Sequence, residues 1–367
     1  MRRAVKVGAP VVVKVGTSSL VQADGNLDPE GAARAVAQVA SLWEQGHPTV
    51  LVSSGAVAAG LPALGLTERP RDVPMLQVAA AVGQGRLMAW YMREFSELGL
   101  VAGQVLLTKD VLANRPQYVH ARKALEQMLA AGVVPIVNEN DTVAVEELKI
   151  GDNDRLAAVV SHLVGAGMLV LLTDTAGLYS GDPRLDDTAE LLSAVRYTDQ
   201  ILDDVMQGKS GRFGSGGVGT KVAAARMAAW SGVPTVIAPA ANPEAALKAI
   251  AGIDIGTWVE PHHSGLSARK LWIAFGQPSE GSVHIDAGAV YALAERGKSL
   301  LPAGVTRVEG SFGSWAGVEV FGPDGKMVGK GLSAMPADNL RDAIGQHTSD
   351  VGGEAIHRDD LVVFPDP

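Results

Sequence analysis

The chain has 367 residues, 47% hydrophobic and 19% charged, with a formal net charge of −9 and no cysteine. That length exceeds one comfortable core and predicts two domains, and the hydrophobic content excludes a disordered chain. The acidic balance argues against nonspecific nucleic-acid or anionic-membrane binding, while the lack of cysteine excludes disulfides, thiol nucleophiles and cysteine metal sites.

Met1-Arg2-Arg3 precedes an apolar run too short for a signal peptide, and no later segment has the length of a membrane span. A cytoplasmic protein is therefore expected. The run Val11–Val15 reads as a strand interrupted by Lys14, whose ammonium would be costly to bury unless it faces an anion. A lysine near an exposed strand end is the alternative. Gly16-Thr17-Ser18 turns the chain into a helix over Glu30–Gln45 and a second strand, Thr49–Ser53. Ser53-Ser54-Gly55-Ala56 then opens an alanine-rich helix, so its hydroxyls and N–H groups either cap that helix or meet a ligand. A helix at Pro74–Leu98, a strand at Val101–Leu107, a helix at Tyr118–Ala131 and a strand at Val133–Asn138 follow.

The fourth strand runs straight into Asn138-Glu139-Asn140-Asp141, and Gly151-Asp152-Asn153-Asp154 precedes a helix over Asp154–Val164. Asp154 can cap that helix, yet two polar clusters so close together exceed what turns require. Such groups can hold an ammonium, organise lysines or carry Mg²⁺ through water. Strand Met168–Thr173 ends in Thr173-Asp174 and leads to Gly177-Leu178-Tyr179, a suitable floor for a nucleotide base or ribose.

Gly214-Ser215-Gly216-Gly217-Val218-Gly219-Thr220-Lys221 carries the bare G-x-G-x-x-G spacing, but no apolar strand leads into it, as a dinucleotide-binding turn requires. It also reverses the Gly-Lys-Ser/Thr order of a nucleotide-triphosphate P-loop. Either it is a flexible surface loop, or it is a third kind of phosphate site, with backbone N–H groups, the start of the helix Thr220–Ser231 and the Lys221 ammonium converging on an anion. Strand Thr235–Ala238 closes the alternation. Strands and helices in this order predict an α/β fold, an αβα sandwich with a mostly parallel central sheet, whose ligands bind beyond the carboxyl ends of the strands.

The pattern breaks after Ser264. Segment 264–282 reads as a linker, and beyond it short strands such as Gly313–Val320 and Met327–Leu332 flank the turn Pro323-Asp324-Gly325. The boundaries expected are a first domain over 1–268, a linker over 269–278 and a small, mainly β domain over 279–367.

Taken together, VVVKVGTSSL (11–20), SSGAVAAG (53–60), AAVGQGRL (80–87), VNENDTVA (137–144), IGDNDRLAA (150–158), LLTDTAGLY (171–179) and GGVGTK (216–221) resemble the amino-acid kinase superfamily, most closely its glutamate-phosphorylating branch. DAGAVYALAERGKSLLPAGV (286–305) and HRDDLVV (357–363) are similar to the PUA domain that many members of that branch carry. The resemblance implies transfer of the ATP γ-phosphoryl group to the side-chain carboxylate of L-glutamate, the first step of proline biosynthesis. It implies Lys14 and Lys221 as catalytic cations oriented by Asp154. Lys14, Gly16, Thr173, Asp174, Ser215, Gly216, Gly217, Val218, Gly219, Thr220 and Lys221 would bind ATP, and Ser54, Gly55, Asp141 and Asn153 would bind glutamate. Mg²⁺ is expected on the ATP phosphates, mostly through water, with no protein metal ligand assigned. Val218 replaces the methionine common at that point of the family loop, which should alter packing rather than chemistry.

The same resemblance implies proline feedback near the glutamate pocket, aided by Asp110–Gln117 and Thr142–Lys149, a homo-oligomer (dimer or tetramer) and transfer of the product to glutamyl phosphate reductase. PUA domains elsewhere bind RNA. The acidic context of Glu354 and Asp359-Asp360 favours a structural or regulatory role here. The alternatives are a sister kinase acting on aspartate, N-acetylglutamate or a nucleoside monophosphate, and a noncatalytic RNA-binding protein built on the C-terminal domain.

Overall fold

A computed structural model describes residues 2–22, 26–108, 111, 114–143, 153–183, 185–199, 201–202, 205, 217–262, 266–346 and 353–364. The chain divides into two compact units, Met1–Gly265 and Leu266–Pro367.

Among the described residues of the first unit, eight strands form one sheet in the order β3-β4-β2-β1-β5-β7-β8-β6. These are β1 (Val11–Val15), β2 (Thr49–Val52), β3 (Val101–Leu107), β4 (Val133–Glu139), β5 (Met168–Thr173), β6 (Ala194–Arg196), β7 (Thr235–Pro239) and β8 (Thr257–Glu260). The pairings from β3 across to β7 are all parallel, β8 runs antiparallel to β7, and β6 pairs parallel with β8. Parallel neighbours need crossovers, which the helices supply. They are α1 (Pro29–Glu44), α2 (Ala56–Gly60), α3 (Val73–Glu97), α4 (Arg115–Ala130), α5 (Asp154–Leu163), α6 (Val218–Trp230) and α7 (Ala245–Ile250). Helix α1 packs with α3 and α7, whereas α5 packs with α4 and α6.

The pleat decides which way Lys14 points. Val11, Val13 and Val15 join one apolar cluster with Ala32, Val36 and Val39 of α1 and Tyr91 and Phe95 of α3. Alternation along a strand therefore sends Val12 and Lys14 to the opposite face, where α5 packs on β1 and β5. Because β1 lies between β2 and β5, with Lys14 opposite Val52 and Leu171, this amine is held in mid-sheet and is fully buried.

Local sequence explains the helix starts. Asp28 accepts a hydrogen bond from Glu30 N ahead of Pro29, Asp72 from Met75 N ahead of Pro74, and Asn114 from Gln117 N ahead of Pro116. Helices α2 and α3 meet through glycines: a Cβ on Gly83 would lie 1.8 Å from Ala56 O, and one on Gly60 would lie 2.0 Å from Ala79 O. Only a bare Cα permits that approach.

In the second unit β9 (Ser279–Ile285), β10 (Val305–Gly310), β11 (Gly317–Phe321), β12 (Met327–Leu332) and β13 (Leu361–Val363) form a mixed sheet in the order β10-β9-β11-β12-β13. Its own core contains Val283, Ile285, Leu293, Val318, Val320 and Leu340. The turn between β11 and β12 uses Gly325 at φ +77°. The stretch expected to be a linker is largely helical, with α8 (Ala268–Leu271) followed by a π-helical turn over Trp272–Gly276. Arg269 Nε donates to Asp360 at 2.6 Å and Lys330 Nζ donates to the carbonyl of Gln277, so both ends of that stretch are tied into the second unit.

Candidate active site

One strand and two helix starts meet at one carboxylate. Asp154, the first residue of α5, is fully buried and places Oδ1 2.6 Å from Lys14 Nζ. Its Oδ2 lies 3.3 Å from Lys221 Nζ, and Thr220 donates to the same oxygen at 2.9 Å. The two ammonium groups, far apart in the chain, thus share one acid. Burying charge in this way requires pairing and hydrogen bonding, and Asp154 supplies both. Gly16 adjoins the cluster: a Cβ built there would lie 3.6 Å from Lys14 Nζ, in van der Waals contact with the amine.

Lys221 is placed by α6. Gly217 caps that helix in the left-handed region at φ +64°, and its carbonyl accepts from both Thr220 Oγ1 at 2.8 Å and Lys221 Nζ at 3.3 Å. Val218, Gly219 and Thr220 form the first helical turn rather than a loop, which leaves their N–H groups without intrahelical acceptors. Ser215 and Gly216 lie outside the described residues. At the end of β5, Thr173 is buried and donates to the exposed Asp174 at 3.0 Å.

A second group of polar side chains lies beyond β2 and β4. Ser53 and Ser54 are buried, but neither caps α2. That position belongs to Gly55 at φ +92°, with no side-chain cap. Ser53 Oγ meets Tyr91 OH at 3.0 Å, and burial pushes the Tyr91 phenol well above its usual range. Ser54 Oγ is buried without a hydrogen-bond partner among the described residues. Asn153 leaves the start of α5 without a side-chain cap because its amide is turned elsewhere, donating to Ser53 O and to Asn138 Oδ1, each at 2.5 Å. With both N–H bonds used, Asn153 has only an acceptor oxygen left to offer. Asp141 is half-buried in the turn that follows β4. Gly151, Asp152 and residues 144–149 lie outside the described residues, as do Asp110 and residues 112–113.

Gln84 of α3 was not singled out by sequence reasoning, yet its Oε1 accepts from Asn138 Nδ2 at 2.6 Å. The available signal was a polar amide between Gly83 and Gly85 in an otherwise alanine-rich stretch. No group of three or more His, Asp or Glu among the described residues could hold a metal ion. No described helix is long and apolar enough to cross a membrane.

A mostly parallel sheet with one lysine on a strand and another at a helix start, both paired to one carboxylate, has the makings of a phosphoryl-transfer site. Comparison with known proteins agrees. Residues 9–239 match the amino acid kinase family and residues 281–353 match the PUA domain. The chain is 46% identical to a glutamate 5-kinase of Frankia casuarinae, covering 96% of each chain. It is 43% identical to one of Pelobacter propionicus, over 96% of this chain and 97% of that protein, and 45% identical to one of Thermobifida fusca, over 96% and 93%. The chain belongs to the amino acid kinase family and, within it, to the glutamate 5-kinases.

Proposed function

We propose that the protein transfers the γ-phosphoryl group of ATP to the side-chain carboxylate of L-glutamate, giving L-glutamyl 5-phosphate and ADP, the first step of proline biosynthesis. One observation carries the mechanism: Lys14 and Lys221 reach opposite oxygens of the Asp154 carboxylate. A glutamate side chain has a pKa of about 4.3, so the attacking oxygen is ionised at neutral pH and needs no general base. The demand is electrostatic, because an anion must approach a polyanion and charge on the moving phosphoryl group must be stabilised.

In this reading Lys14 and Lys221 supply that charge, and Asp154 holds their amines in place. Gly16 leaves room for phosphate oxygens over Lys14, and the N–H groups of residues 217–220, together with Ser215 and Gly216, cradle the phosphates. Thr173 and Asp174 hold the nucleotide. On the acceptor side, Asp141 and the remaining oxygen of Asn153 suit the substrate ammonium, while the unpartnered hydroxyl of Ser54 beside Gly55 suits a carboxylate. Asp154 is engaged by two ammonium groups, so Mg²⁺ would ride on the ATP phosphates with water completing its shell, screening their charge. A homo-oligomer, proline feedback and transfer of the product to glutamyl phosphate reductase belong to the same proposal and rest on family resemblance.

The test is hydroxamate trapping of an acyl phosphate from glutamate, ATP and Mg²⁺, with ADP release measured in parallel. Glutamate-dependent hydroxamate supports the reading. Equal turnover with aspartate or N-acetylglutamate, or none with glutamate, overturns it.

A further inference from the structure

We propose that Gln84 binds the acceptor substrate directly, donating from Nε2 to a carboxylate oxygen; this rests on the reading of the site as a glutamate kinase. The argument begins with which end of each amide is nitrogen. Ser53 O is a backbone carbonyl and can only accept, so the Asn153 atom bonded to it is Nδ2. That same Nδ2 reaches Asn138 at an atom that also accepts from the backbone N–H of Glu139 at 3.0 Å, so the atom is Oδ1. Asn138 must then donate from Nδ2, and Gln84 must receive with Oε1.

Two unambiguous backbone groups therefore orient three side-chain amides, and the chain of bonds ends on Gln84 Nε2. That nitrogen is buried and has no hydrogen-bond partner among the described residues. A buried donor left unmet costs free energy, and structures retain such groups where a ligand completes them. The nitrogen can only donate, so its ligand atom is an acceptor. Ser54 Oγ, just beyond β2 and next to the Ser53 carbonyl that anchors the relay, is also buried and without a partner among the described residues. The two together offer donors that match a carboxylate, opposite in character to the acceptors Asp141 and Asn153 offer to an ammonium.

The relay also supplies the experiment. Gln84→Glu keeps an oxygen to accept from Asn138 but replaces the outward donor with a second oxygen. Gln84→Met removes both. The expected result at pH 8 is a glutamate KM raised about tenfold or more in Gln84→Glu, with ATP KM within about twofold and the thermal midpoint close to that of the parent. Gln84→Met should raise glutamate KM as well. If Gln84→Glu behaves like the parent while Gln84→Met is impaired, Gln84 serves only as the acceptor for Asn138 and the proposal is overturned. It is equally overturned if glutamate KM and ATP KM rise together. Glutamate-dependent hydroxamate formation by the parent protein, run alongside, tests the kinase reading separately from the role of Gln84.

Discussion

At the scale of single residues, the site is organised around Asp154 rather than around either lysine. Lys221 is the more accessible of the two amines, with a side chain 12% exposed against none for Lys14, and its removal leaves the sheet untouched. In the proposed mechanism, Lys221→Ala is expected to lower kcat by about a hundredfold to a thousandfold, as loss of one donor to a developing anion does, with glutamate KM little changed. Steady-state kinetics with both substrates checks this. Asp154→Asn acts differently, because it removes the carboxylate from a fully buried ion pair with Lys14. We expect it to cost about 3 kcal/mol of stability along with activity, seen as a lower denaturation midpoint in urea. An Asp154 variant that lost turnover at parental stability would mean that the pair is not the structural pin it is taken to be.

At the scale of elements, the glycine contact between α2 and α3 sets how closely the residues after β2 approach Gln84 on α3. Gly83→Ala would drive a methyl to 1.8 Å from Ala56 O, which the backbone can relieve only by separating the helices. It is expected to destabilise by about 1–3 kcal/mol and to raise glutamate KM. Thermal unfolding and kinetics on the same sample check both effects. Between α4 and α5, His162 lies against Tyr118, with ring centroids 6.0 Å apart, and burial, followed by the Arg122 charge, lowers its pKa below 6.5. Between that depressed value and about 6.5 the unfolded chain binds a proton that the folded chain does not, so stability falls as pH falls through this window. His162→Gln is expected to flatten that slope, measured as urea midpoints at pH 7.5 and 5.5.

Legibility in the sequence differed by element for physical reasons. Apolar runs such as Val11–Val15 and Met168–Thr173 lie at the centre of a parallel sheet and announce themselves by composition. Strands β6 and β8, at one side of the sheet, and helix α7, of six residues, are too short for a sustained pattern to form. Lys14, Asp154 and Lys221 drew notice because a charge inside an apolar run, or at the start of a helix, needs a reason, but each alone also fitted a strand end, a cap or a loop, and their roles came from the family resemblance. That Asp154 joins both lysines came only from the family resemblance, since the meeting depends on the order in which the strands are laid down. The direction of the Gln84 amide was not readable, being set by hydrogen bonds to partners remote in sequence.

At the scale of the whole molecule, each compact unit has its own apolar core. Calorimetry is expected to resolve two transitions, and Leu340→Ala, at a fully buried position of the second core, to lower one of them by about 2–5 kcal/mol. Glutamate with a nonhydrolysable ATP analogue should raise the other, by about 2.7 kcal/mol at a hundredfold excess over Kd. A single transition shifted by both changes would overturn this expectation.

The clasp on Asp154 also bears on synthesis. Lys14 emerges from the ribosome first, Asp154 well after it, and Lys221 only when most of the first unit is already outside the tunnel. A nascent chain halted before α6 therefore holds one amine and the acid but lacks the other amine, so the clasp closes only once α6 has been made.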